Sequence, residues 1–108
     1  MLAVILESGE PTRLYTAFSL LVSTAVEGED ARGLVSFGAL PALMRDSPDP
    51  SFTELRAAAA DAGVRLEVCS AAFDAAGADR AEVERRIGPV SSTPRFLKAT
   101  AGARLVVV

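Results

Sequence analysis

The chain has a single cysteine, Cys69, and it stands where a strand-like segment ends. Residues 64–68 read Val-Arg-Leu-Glu-Val, and the cysteine is followed by Ser-Ala-Ala-Phe-Asp. In parallel α/β proteins, ligands bind outside the carboxyl ends of the strands, where loops and helix N-termini meet. A helix N-terminus favours the thiolate, which is the nucleophilic form of cysteine. The position of Cys69 therefore makes it the candidate catalytic residue of this chain.

Other features of the sequence oppose a reactive thiol. Asp74 lies within about one helical turn and would repel a thiolate, and the apolar neighbours would remove water from it. No basic residue is adjacent in sequence, so Arg13, Arg45 or Arg95 can reach the sulfur only through the fold. On the strand, alternation places the thiol with Arg65 and Glu67 on the more polar side. A lone cysteine is also commonly a small buried apolar residue, and that alternative stays open.

Four further residues are candidates for binding a substrate. Ser8 and Gly9 follow the first predicted strand, and Gly38 ends the second. Ser70 follows the cysteine directly. All four are expected at the same edge of the sheet as the thiol, because the carboxyl ends of parallel strands share one edge. Turn formation is the alternative role for Ser8 and Gly9, and helix capping is the alternative for Ser70.

The composition excludes several classes of protein. The chain has no histidine, so neither a Ser-His-Asp or Cys-His hydrolase site nor imidazole ligation of a metal can be built. One cysteine is too few for a structural zinc site or an internal disulfide. Neither glycine-rich nucleotide fingerprint occurs. Basic residues are scattered, with Arg85-Arg86 as the only adjacent pair, so nucleic acid is not an expected partner. We predict no metal and no cofactor.

Predicted strands and helices alternate along residues 1–108, which we treat as one domain. Short apolar runs predict strands at 2–6, 33–37, 64–68, 90–92 and 103–108. Helical segments separate them, and the loop 45–50 is rich in proline and aspartate. This order predicts an α/β fold: a mostly parallel sheet of four to five strands, covered by helices on both faces.

Helix starts are predicted from capping residues. Ser51 with Glu54 and Asp79 with Glu82 have the spacing of a capping box. Residues 91–93 precede a proline and are interpreted as the cap of the last helix, with the lining of a site as the alternative.

The helix that begins at Pro11 has an unusual lack of charge. No charged residue occurs between Arg13 and Glu27. The side opposite its apolar stripe carries small hydroxyls: Thr16, Ser19, Ser23 and Thr24. These either face water or pack against another subunit.

The sequence lacks an apolar run of membrane-spanning length, and its first residues do not form a signal peptide. We therefore expect a cytoplasmic protein with no membrane span.

The segment 63–77 reads Gly-Val-x-Leu-x-Val-Cys and then Ser-Ala-Ala-Phe-Asp-Ala-Ala-Gly. A short apolar first strand, an apolar segment after the second strand and a final strand after a Phe-Leu-containing helix accompany it. In these features the chain resembles the DsrE/DsrF-like proteins of bacterial and archaeal sulfur metabolism. The resemblance implies a five-stranded, flavodoxin-like, three-layer sandwich that assembles into trimers or hexamers.

The resemblance also implies a function, that of a sulfur-relay protein or sulfurtransferase. Cys69 would accept a sulfane sulfur as a persulfide and pass it to the thiol of a partner protein. Two alternatives remain. The chain is a non-catalytic oligomeric module that binds a small ligand or regulates a partner, with Cys69 structural, or it is a structural subunit of a larger complex.

Overall fold

Five strands and six helices alternate along the chain in the computed structural model, which describes residues 1–108. The strands are β1 Leu2–Leu6, β2 Ala31–Val35, β3 Arg65–Cys69, β4 Val90–Ser91 and β5 Arg104–Val107. The helices are α1 Pro11–Val26, α2 Ala39–Leu43, α3 Pro50–Asp61, α4 Ser70–Ala76, α5 Arg80–Arg86 and α6 Thr93–Ala99.

The strands form one sheet in the order β4-β3-β2-β1-β5, and every pairing is parallel. This confirms the α/β fold predicted from the strand–helix order. The chain steps outward from β1 to β4 and then returns across the sheet to β5. Because crossover connections are right-handed, the outward steps place α1, α3 and α5 on one face, and the return step places α6 on the other. The result is a three-layer arrangement.

The helices of the first face pack on one another as well as on the sheet. The rings of Phe18 in α1 and Phe52 in α3 meet edge to face, with 5.3 Å between their centroids. In α3, the Arg56 Nη2 donates to the carbonyl oxygen of Arg86 at the end of α5, at 2.9 Å. Thr24, which was predicted on the polar side of α1, is instead 9% exposed, so the uncharged surface of this helix is narrower than expected.

Strand β2 differs from its prediction because of one glycine. It begins at Ala31, two residues earlier than expected, and Gly33 lies inside it. A Cβ at Gly33 would stand 2.8 Å from Leu66 Cδ2 and 3.0 Å from Leu6 Cδ1. The side chains of the two neighbouring strands fill the space there, so this glycine marks close packing and not the start of a strand.

Two of the predicted helix caps are wrong. Helix α3 is capped by Asp49, whose carboxylate accepts from Ser51 N, and not by Ser51. The cap lies earlier because Pro50 suits the first helical position, where its missing N–H costs nothing. Ser70 is the first residue of α4, and Cys69 is the N-cap. The cap at Asp79 is confirmed, since its carboxylate accepts from Glu82 N at 3.0 Å.

None of the helices is long and apolar enough to cross a lipid bilayer.

Candidate functional site

Cys69 lies at the carboxyl end of β3, beside the edge strand β4. It is the last residue of β3, and its Cα partner on the neighbouring strand is Ser91, the last residue of β4. The connection after β3 leads to α5 on one face, whereas the connection after β4 leads to α6 on the other. The thiol therefore lies at the carboxyl edge of the sheet, outside which open α/β sheets bind ligands.

The thiol itself is more buried than its position on the strand suggested. Cys69 is 5% exposed, although it alternates with Arg65 and Glu67 on the same face. The thiol belongs to the hydrophobic core, and the first residue of α6, Thr93, brings its Oγ1 to 3.7 Å from the sulfur. Of the two alternatives that the sequence left open for this thiol, the structure shows the buried one.

A cavity of about 280 Å³ lies at the ends of β3 and β4, lined by the chain neighbour and the strand partner of Cys69 but not by Cys69 itself. We call it the β3–β4 cavity; its lining residues are Ser70, Phe73, Asp74, Arg80, Val90, Ser91, Ser92 and Arg95. Ser70 and Ser91 place it next to Cys69, since one is the following residue and the other is the strand partner. Two arginines and one aspartate give the lining a net positive charge.

The two arginines of the β3–β4 cavity differ in their partners. Arg80 pairs with Glu84 at 3.3 Å and lies over the ring of Phe73, with 5.9 Å to the centroid. Arg95 is exposed and makes no ion pair. Of the three arginines considered from the sequence, Arg95 is the one that the fold brings to the thiol's cavity.

Residues 91–93 have three separate roles, and the cap and the site lining considered from the sequence both occur among them. Ser92 is the cap of α6, because its Oγ accepts from Arg95 N at 3.2 Å. Thr93 contacts the sulfur of Cys69. Ser91 is 9% exposed, and its Oγ is buried without a hydrogen-bond partner. A buried hydroxyl without a partner costs roughly 1–3 kcal/mol, so a ligand that supplied the missing hydrogen bond would bind more tightly.

The other predicted binding residues form a separate group at the ends of β1 and β2. A Cβ at Gly9 would stand 2.4 Å from the Gly38 carbonyl oxygen, and one at Gly38 would stand 2.4 Å from the Glu7 carbonyl oxygen. The two turns therefore pack backbone against backbone, which only glycine permits. The Ser8 Oγ accepts from Glu10 N at 3.1 Å and so stabilises its own turn. The structure brings these three residues together, but only Ser70 lines the cavity beside the thiol.

The structure contains no cluster of three or more cysteine, aspartate or glutamate side chains placed to hold a metal ion.

Comparison with known proteins gives a match in fold. No protein-family model and no curated protein sequence matches the chain. Among solved structures, the fold is similar to that of the ychN protein from E. coli, a DsrE/DsrF-like protein, with a TM-score of 0.66 and 16% sequence identity. The match covers 99% of this chain and 97% of that chain. The resemblance noted in the sequence is therefore confirmed at the level of the fold.

Proposed function

We propose that this chain is a sulfur carrier, in which Cys69 accepts a sulfane sulfur as a persulfide and passes it to the thiol of a partner protein. The observation that carries the proposal is the position of Cys69 at the carboxyl end of β3 in a DsrE/DsrF-like fold, next to the β3–β4 cavity. The net positive lining of that cavity favours an anionic donor such as a persulfide or polysulfide.

The chemistry requires a thiolate and no acid–base residue. The Cys69 thiolate attacks the outer sulfur of a donor persulfide, and a new S–S bond forms as the donor's S–S bond breaks. The donor leaves as a thiolate with the electron pair of the broken bond. Attack by an acceptor thiolate on the outer sulfur then reverses these roles and restores the Cys69 thiolate. Sulfur moves between thiols without an external oxidant or reductant, which suits a chain that has no histidine.

Access to the sulfur depends on the first turn of α6. Thr93 covers the thiol, and Ser92 holds that turn in place through its cap. Helix α6 has only seven residues and projects the exposed side chain of Arg95 from its first turn. A donor bound to Arg95 would lie at the turn that must move to uncover Cys69.

A second function is favoured by the burial of the thiol. Cys69 is 5% exposed, and its polar contact is a neutral hydroxyl and not a cation. In this alternative the thiol only packs, and the β3–β4 cavity binds a small ligand through Arg95 and the unpartnered Ser91 Oγ. The chain would then be a non-catalytic binding or regulatory module.

Mass spectrometry of the intact protein after exposure to inorganic polysulfide separates the two functions. A sulfur carrier gains the mass of one sulfur atom, the gain is reversed by a thiol reductant, and Cys69→Ser abolishes it while circular dichroism stays unchanged. Retention of the gain in Cys69→Ser contradicts the relay. A wild-type protein that gains no sulfur, and whose thiol reacts with a disulfide reagent only on unfolding, supports the binding module.

Assembly into a homo-oligomer, a trimer or a hexamer, is the remaining part of the proposal. The uncharged surface of α1 carries two exposed large side chains, Tyr15 at 43% and Leu20 at 37%, beside the small hydroxyls Thr16 and Ser23. Aromatic side chains with few charges are typical of the centre of a protein interface. We therefore assign the subunit contact to this surface of α1.

A further inference from the structure

A second cavity, of about 440 Å³, lies beside α3 and α5, and none of its lining residues lines the β3–β4 cavity. We call it the arginine cavity, because two arginines from different helices, Arg56 and Arg86, line it. Asp46 and Ser47 of the loop before α3 complete its polar wall, and Phe52 of α3 contributes an apolar side. Neither the sulfur chemistry nor the proposed subunit contact uses these residues.

A hydrogen bond joins the guanidinium of Arg56 to the backbone of Arg86. The Arg56 Nη2 donates to the carbonyl oxygen of Arg86, at 2.9 Å. Burial lowers the pKa of Arg56, and the positive charge of Arg86 lowers it further, whereas Asp46 acts in the opposite direction. Two arginines that line one cavity form a place where an added anion is attracted.

The hydrogen-bonding capacity of this pair is not satisfied. The Arg86 Nη2 donates to Asp46 Oδ1 at 2.9 Å, but the Arg86 Nε is buried and has no partner. Asp46 is a single carboxylate for two cations, and its side chain is 96% exposed, whereas that of Arg86 is only 22% exposed. The carboxylate end of this ion pair faces water, and water and salt screen its charge. Asp46 can therefore be displaced by a stronger anion.

We propose that the arginine cavity binds a tetrahedral oxyanion of the phosphate type. Such an anion offers several acceptor oxygens at once, so it can accept from both the Nε and the Nη2 of Arg86, which a guanidinium presents as a fork. Ser47 adds a further donor, since its Oγ accepts from Asp49 N at 3.1 Å and keeps its own proton free. In the unliganded chain, the Asp46 carboxylate occupies the position of one ligand oxygen.

Titration calorimetry with inorganic phosphate at low ionic strength tests this site. Arg86→Gln should weaken phosphate binding at least tenfold, because it removes the fork. Asp46→Asn should strengthen binding several-fold, because it removes the competing carboxylate. The matched control is Arg85→Gln: Arg85 is adjacent in sequence, but it is fully exposed and pairs with Glu82, so phosphate binding should be unchanged.

Three results would overturn the proposal: no binding of phosphate by the wild type, an equal loss in Arg85→Gln and Arg86→Gln, or weaker binding in Asp46→Asn. Asp46→Asn changes an exposed side chain, so the test remains decisive even if Arg86→Gln fails to fold.

A second titration, with phenyl phosphate, distinguishes a phosphomonoester from free phosphate as the natural ligand. Tighter binding than inorganic phosphate assigns the site to a phosphomonoester whose body contacts Phe52, and equal binding assigns it to the free oxyanion. Cys69→Ser should bind phosphate normally, so this proposal and the sulfur relay succeed or fail separately.

Discussion

The sulfur of Cys69 lies 3.7 Å from the hydroxyl oxygen of Thr93, so the last residue of β3 contacts the first residue of α6. The two residues are 24 positions apart in the sequence. They meet because β4 lies beside β3 and α6 begins directly after β4. The reactivity of the thiol therefore depends on the first turn of α6.

Replacement of Thr93 by valine tests that dependence. Valine keeps the shape of the side chain but removes the only hydroxyl that contacts the sulfur. A lost hydrogen bond of about 1 kcal/mol should slow the reaction of the thiol with a disulfide reagent at neutral pH about fivefold. Thr100→Val is the matched control, since this buried hydroxyl at the other end of α6 donates to the Phe96 carbonyl oxygen and not to the sulfur. An unchanged or faster reaction of Thr93→Val would show that the hydroxyl does not stabilise the thiolate.

The proposed subunit contact predicts a change of mass in solution. Leu20→Glu places a charge in the uncharged surface of α1, so it should dissociate the oligomer to monomers at micromolar concentration, as measured by sedimentation equilibrium. Val107→Glu is the control, because Val107 is also exposed, at 62%, but lies on the edge strand β5. A monomeric wild-type protein would contradict the proposed assembly. Dissociation by Val107→Glu alone would show that β5, and not α1, forms the subunit contact.

The packing of α1 on α3 predicts a large loss of stability in Phe18→Ala. Phe18 is fully buried, and its ring meets that of Phe52 edge to face. Truncation of a buried phenylalanine should lower the free energy of unfolding by about 3–5 kcal/mol, measured by urea denaturation. Phe37→Ala removes the same atoms from a side chain that is 50% exposed, so it should cost much less. Equal losses in the two variants would mean that the edge-to-face contact contributes little.

The exposed ion pair between Glu82 and Arg85 on α5 predicts that stability depends on pH. A hydrogen bond from Arg85, at 2.6 Å, lowers the pKa of Glu82 from its usual 4.5. Because the folded chain prefers the ionised carboxylate, this contribution to stability is complete above that usual value and disappears as the pH falls through the lowered pKa. Carboxyl NMR titration should show the pKa of Glu82 rising in Arg85→Gln. It should stay unchanged in Arg80→Gln, because Arg80 pairs with Glu84. No rise in Arg85→Gln would exclude the hydrogen bond as the cause.

Local signals in the sequence predicted the elements well and their boundaries less well. The cap at Asp79 follows from the sequence, since capping depends on neighbouring residues alone. Ser51 was wrongly chosen as a cap because Pro50 makes the earlier Asp49 the better one. The predicted start of β2 at Gly33 is wrong, because this glycine makes room for side chains of the neighbouring strands, which a local pattern does not show.

The sequence by itself determined the parallel α/β architecture and the place of Cys69 at the carboxyl end of β3, because both follow from the local order of apolar and polar residues. Only the tertiary structure decided the strand order, the cover that Thr93 puts over the thiol, and the convergence of Arg56 with Arg86. Each of these joins residues that are distant along the chain, and the hydrophobic packing of whole elements, which no local pattern records, brings them together.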